Sequence, residues 1–87
     1  MTTEQLESWD RDHDGVLLEV DDEIERAEVN HRPYSSAHEA YGVLAEEVAE
    51  FFDEVRKKRS DRDKAAMRRE LVQVAAVAIR AIVNLEL

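Results

Sequence analysis

Three glutamates at helical spacing, Glu47, Glu50 and Glu54, are the residues of this chain best placed to do chemistry. At about 100° per residue Glu47 and Glu50 lie about 60° apart, with Glu54 between them in angle. Leu44, Val48, Phe51, Phe52 and Val55 form the neighbouring apolar face, with Tyr41 at its edge. Glu47 lies nearest that face, so the acidic strip borders a helix seam rather than open water. A second strip occurs further on. Taking Glu70 as zero, Gln73, Arg80 and Asn84 fall at about −60°, −80° and −40° on an otherwise apolar helix. Burying four polar groups without partners is costly, so this strip must face a cavity, a metal or the first strip. Glu47-x-x-Glu50 set against Glu70-x-x-Gln73 would gather several carboxylates between packed helices. Such a cluster suits a hard divalent cation. Mg²⁺ takes oxygen ligands octahedrally and keeps waters for itself and for substrate phosphates. The chemistry available is activation of water and neutralisation of a polyphosphate.

Each of these groups has a plainer reading beside the chemical one. A run of glutamates is commonly a solvated helix face. Arg80 and Asn84 are either contacts to a substrate's phosphate or base, or an Arg pairing with a seam carboxylate and its neighbour. Lys57, Lys58 and Arg59 could greet a phosphate tail, or simply complement the negative end of a helix dipole. His13, His31 and His38 share no metal-ligand spacing on one helix face. A competing motif is Asp10-Arg11-Asp12-His13-Asp14-Gly15-Val16-Leu17, which resembles the first eight positions of an EF-hand Ca²⁺ loop. Its twelfth position is Asp21 rather than the bidentate Glu, no full helix is expected to enter it, and no second hand is present to pair with it.

The elements that must position these groups follow from apolar spacing and caps. Residues 1–15 read as an acidic lead-in: Thr2 or Thr3 caps one short turn, and Asp10 to Gly15 follows as loop. A first helix is expected from about Val16 to Asn30, with Leu17, Val20, Ile24 and Ala27 on one face and Asp21, Asp22, Glu23 and Arg26 on the other. Pro33 ends it. Ser36 and Glu39 form a capping-box pair that starts a second helix, running to about Lys58. A third helix is expected from a cap at Ser60 or Asp61 to the end of the chain. From Leu71 to Leu85 it is apolar around most of its circumference, so it needs partners on nearly all sides. The expected fold is all-α. Three principal helices in an antiparallel arrangement occupy residues 16–87 and complete a four-helix-type bundle by oligomerisation, at least as a dimer.

Composition agrees. The chain has 87 residues and a formal net charge of −9, which argues against direct binding to a nucleic-acid backbone. Two Gly and one Pro are too few for an all-β fold rich in tight turns. Without cysteine there are no disulfides, thiolate zinc sites or thiol nucleophiles. No apolar run reaches the ~18–20 residues of a membrane span, and Met1-Thr2-Thr3-Glu4 lacks a signal peptide's basic start. A cytoplasmic protein with no membrane contact is therefore expected.

The segment from His38 to Val55, with Glu46-Glu47-x-x-Glu50 inside it, followed by Arg69-Glu70-Leu71-Val72-Gln73-Val74-Ala75-Ala76, resembles the MazG-like all-α nucleoside triphosphate pyrophosphohydrolases. The likeness is to the short phage and prophage-type members and covers roughly residues 31–85. The family pattern is two glutamates, two residues and a third glutamate, then Glu-x-x-Asp on the next helix. This chain carries Gln73 where that aspartate falls. A neutral amide can lend an oxygen to a metal, but it removes a negative charge and cannot act as a base. The resemblance implies a homo-oligomer that uses Mg²⁺, with Mn²⁺ as a substitute, to split a (d)NTP into (d)NMP and pyrophosphate. It implies Glu47, Glu50, Glu70 and Gln73 as the metal set, and Glu46 with Glu47 as the catalytic pair that positions or activates water. Arg80 and Asn84 would contact the nucleotide. The rivals are a non-catalytic helical interaction module in which Gln73 has degraded the site, and a Ca²⁺-binding module using Asp10–Asp21.

Overall fold

A computed structural model describes residues 1–87. The fold is all-α: 82% of the chain is helical and there is no strand. Helix α1 spans Thr3–Asn30, α2 spans Ala37–Val55 and α3 spans Lys64–Asn84, with one 3₁₀ turn at Arg59–Asp61 before α3.

The first helix departs from the sequence expectation. It has no acidic lead-in loop, because α1 is continuous from Thr3 through Gly15 to Asn30. Thr2 and Gln5 form a reciprocal capping box at its start. The Thr2 hydroxyl accepts from the Gln5 N–H at 3.1 Å, and the Thr2 N–H donates to the Gln5 side chain at 2.7 Å. Gly15 is the sole weak point, and it lacks the positive φ a loop would use. A helical Gly costs about 1 kcal/mol relative to Ala, too little to break a capped helix whose later turns are packed. The Ca²⁺-loop reading fails with the loop. Asp10, Asp12, Asp14 and Asp21 all lie within α1, and Asp12 points about 160° away from Asp10. Alternate positions surround an ion in a loop; in a helix they face opposite ways.

Helix α2 is capped as expected at Ser36, whose hydroxyl accepts from the Glu39 N–H at 3.1 Å. The reciprocal half of that box is absent. The Glu39 carboxylate instead takes Arg32 at 2.6 and 3.1 Å and the Ser35 hydroxyl at 3.1 Å, which ties the α1–α2 connection to the first turn. Both ends of the following loop also move. Helix α2 stops at Val55, not Lys58, and α3 is capped by Asp63 rather than Ser60 or Asp61. Glu54 explains both shifts. One of its oxygens accepts from the Asp63 N–H at 2.6 Å and the other from Lys57 at 2.9 Å, so this buried carboxylate joins the end of α2 to the start of α3. Arg62 donates to the Val55 carbonyl at 2.9 Å and completes the stop.

Consecutive helices reverse direction, so α1 and α3 run parallel. Glu19 meets Arg68 near one end and Glu28 meets Arg80 further along. Helix α3 packs against both α1 and α2 and is the central element, as its apolar circumference demands. The core is thin. Its buried apolar residues are Val20, Ala27, Tyr34, Ala40, Ala76 and Val77, with Val43, Leu44, Ala81 and Leu85 packed partly against the Tyr34–Ala40–Val77 cluster. Val48 and Phe52 on α2, and Leu71, Ile79, Ile82 and Val83 on α3, remain exposed. No helix is long and apolar enough to cross a membrane.

Candidate metal centre

The antiparallel packing of α2 on α3 sets Glu47 beside Gln73 and Glu50 beside Glu70. The ligand oxygens of Glu47, Glu50 and Glu70 all lie within 4.8 Å of one another, the chain's one such group of three or more acidic or imidazole side chains. Glu47 and Glu70 are half-buried in the seam, and Glu50 stands at its solvent edge. Their mutual repulsion is visible in their acidity. Burial first, then the charges of Glu50 and Glu70, push Glu47 up to about 7. Glu70 is raised as well, by burial and by its hydrogen bond to Glu50. Gln73 closes the group. With its amide nitrogen inward it donates to Glu47 at 2.7 Å and to Glu70 at 3.3 Å. With its oxygen inward, the same side chain becomes a fourth oxygen aimed at the carboxylates.

This donor set fits a divalent cation. At a metal–oxygen distance of about 2.1 Å, octahedral oxygens are separated by about 3.0 Å when adjacent and about 4.2 Å when opposite, so the three carboxylates would draw together around an ion by rotamer adjustment. Four oxygens would leave two octahedral positions for water or phosphate. A cation there would also offset the burial and the neighbouring charges that raise the Glu47 carboxyl.

The strip on α3 divides. Glu70 and Gln73 face α2, whereas Arg80 and Asn84 are bound to α1 and to the α1–α2 connection. Arg80 is buried. Its Nε donates to Glu28 at 3.1 Å, its Nη1 to the Tyr34 hydroxyl at 3.0 Å, and its guanidinium lies 4.6 Å from the Tyr34 ring centroid. Asn84 accepts from the Tyr34 N–H at 2.9 Å and donates to Glu28 at 3.1 Å. Asn84 first, and then Arg80, hold the Glu28 carboxyl below its ordinary value. The sequence left open whether Arg80 pairs with a seam carboxylate, and it does. Its Nη2 nevertheless is buried with no partner in the chain. Glu46 stands exposed on α2, outside the three-carboxylate group.

One group escaped the sequence reading. Glu23 was assigned to the polar side of the first helix. It lies instead close enough for its charge to add to the upward push on Glu47, while it pairs with Arg26 at 3.0 Å. The signal was available: Glu23 falls between Val20 and Ala27, three and four residues away, on the face that packs. Tyr34 forms an aromatic floor for Arg80. A cavity of about 120 Å³ is lined by Glu23, Glu47 and Gln73 together with Arg26, His31 and Arg80, while Glu50 and Glu70 lie outside it. A second, more open cavity of about 310 Å³ shares His31, Tyr34 and Arg80 with it. Acidic and nitrogen-bearing side chains therefore share one cavity, with Arg26 paired to Glu23 and Arg80 to Glu28. A groove of about 420 Å³ along α1 and α3 holds the Glu19–Arg68 and Glu23–Arg26 pairs and touches none of the three clustered carboxylates.

No known family, curated protein or solved structure matches this chain.

Proposed function

We propose that the protein is a Mg²⁺-dependent nucleotide pyrophosphohydrolase that converts a (d)NTP and water to (d)NMP and pyrophosphate. One observation carries the reading: three carboxylates from two helices gather with their oxygens within 4.8 Å of one another, and Glu47 among them also lines a cavity that holds Arg26, His31 and Arg80. The residue pattern shared with MazG-like enzymes supports it independently. Glu47, Glu50 and Glu70 would hold the ion, with the Gln73 amide oxygen as a weak fourth donor. Bound Mg²⁺, or Mn²⁺ in its place, would supply neutralisation of the polyphosphate and a more acidic water. The protein's own contribution is placement. The helix seam keeps the carboxylates together, while Arg26, His31 and Arg80 line the cavity beside Glu47 where phosphate oxygens would be received. Glu46, exposed on the adjoining turn of α2, would position the attacking water from the solvent side. Substrate would come from the cytoplasmic nucleotide pool.

A second reading has its own observation. With its nitrogen inward, Gln73 satisfies Glu47 and Glu70 without any ion. A chain arranged that way keeps the scaffold as an interaction module and hydrolyses nothing. Pyrophosphate release from a panel of (d)NTPs, with and without Mg²⁺, separates the two. The enzyme reading requires Mg²⁺-dependent release that Glu50→Gln abolishes. No release from wild type, with turnover gained in Gln73→Asp, establishes the second. No release from either protein ends the hydrolase reading.

A further inference from the structure

The first turns of α1 stand apart from the body of the molecule. Helix α1 has 28 residues, about 42 Å at 1.5 Å per residue, and this matches the 43 Å longest extent of the whole chain. Its first buried residue is Val20. From Thr3 to Asp14 every residue is exposed except the half-buried Ser8, because α3 begins only at Lys64, near the level of Val16 and Glu19. A helical arm of this length has little stability of its own in water. Yet the face that packs on α3 continues outward along it. Leu6, Trp9, His13, Val16 and Leu17 all lie within about 60° of Val20 in helical angle. Leu6 and Trp9 are each half exposed, and the Trp9 and His13 rings stack at 4.5 Å along the seam.

Charge says what covers this seam. The arm carries Glu4, Glu7, Asp10, Asp12 and Asp14 against Arg11 alone. Eight of the chain's 12 Lys and Arg residues fall between Arg56 and Arg69, at the corner joining α2 to α3. Lys58, Arg59, Lys64 and Arg69 form no ion pair within the chain, and neither do Glu4, Glu7, Asp10 and Asp12. The N-terminal end of α3 adds its own positive dipole to that corner. So acidic an arm is repelled by anionic lipid and by nucleic acid. The complementary surface is one the molecule itself carries, but the arm projects away from its own corner.

We infer that α1 supplies a self-association arm: two copies of the chain pair their arms antiparallel through Leu6, Trp9 and His13, each acidic tip resting on the other copy's basic α2–α3 corner. Antiparallel pairing is what brings tip and corner together, since each arm then runs back toward the partner's α3. The apolar stripe of α1 becomes continuous across the pair, and the arm gains the packing that a lone helix lacks. This inference stands independently of the metal-site reading.

The test uses the 87-residue chain, which has no native cysteine to interfere. In sedimentation velocity the wild type should form a dimer whose association weakens as NaCl rises. Trp9→Asp should weaken it at least ~10-fold while leaving the α2–α3 helices folded by circular dichroism. Mixing Glu4→Cys with Ser60→Cys should give the mixed disulfide in preference to either self-disulfide. A wild type that stays monomeric overturns the inference. So does a dimer indifferent to Trp9→Asp, which would place the interface elsewhere, and so does a Glu4→Cys self-disulfide, which would mean parallel arms. Mg²⁺ binding by Trp9→Asp, measured alongside, should match wild type.

Discussion

At the scale of single residues, Glu47 gives the account its clearest handle. Its folded-state pKa stands at about 7 against an ordinary 4.5, so between those values the folded chain holds a proton that the unfolded chain has lost. The stabilisation is therefore complete below about pH 4.5 and disappears as pH rises through 7. Full burial would make this about 3 kcal/mol, and partial solvation reduces it to about 1–2. Metal-free protein should melt at a lower temperature at pH 8 than at pH 5.5, and Mg²⁺ at pH 8 should restore the difference; a thermal melt series checks both. Gln73→Asp should raise Mg²⁺ affinity, because it replaces an amide with a fourth carboxylate, and should deepen the pH 8 loss when metal is absent. Both strips were legible in the sequence because helical angles add along one element. The role of Glu23 was half legible: its spacing from Val20 and Ala27 turns it toward the packed face, but its reach to Glu47 depends on how α1 docks. The split of the second strip, which sends Arg80 and Asn84 to Glu28 rather than toward Glu47, was not.

At the scale of elements, caps and apolar spacing predicted three helices but misplaced several ends. The acidic run from Asp10 to Asp14 was read as loop chemistry, yet nothing in it breaks a helix that Thr2 and Gln5 have already started. Gly15 decides between the two. In a Ca²⁺ loop an alanine there would strain the turn. In a continuous helix with no atom within 4 Å of the added Cβ it should stabilise, by about 0.5–1 kcal/mol. Urea unfolding of Gly15→Ala reads the sign directly. The α2–α3 turn depends on Glu54 and Asp63 together, a tertiary fact that no local cap rule contains. Asp63→Ala removes acceptors for the Ala65 and Ala66 N–H groups and should cost about 1 kcal/mol, seen as a lower denaturation midpoint with an unchanged slope.

At the scale of the whole molecule, α3 is central because a helix apolar on most sides has no other place in an all-α chain. That much followed from Leu71 to Leu85 alone. What the sequence could not say is how little α1 and α2 cover: only eight of 87 residues are buried, and Leu71, Ile79, Ile82 and Val83 stay exposed on the central helix. A core this thin supports a marginal fold, and association would supply the missing burial. The melting temperature should therefore rise with protein concentration, a dependence that a stable monomer would lack.

The central claim is that Glu47, Glu50 and Glu70 share one divalent cation. Isothermal titration of Mn²⁺ at pH 6.5, in two buffers of different ionisation enthalpy, addresses it most directly. The account predicts one ion per chain, proton release from Glu47 on binding, and loss of both in Glu50→Gln. The absence of binding heat, or the same heat and the same proton count in Glu50→Gln, would contradict it.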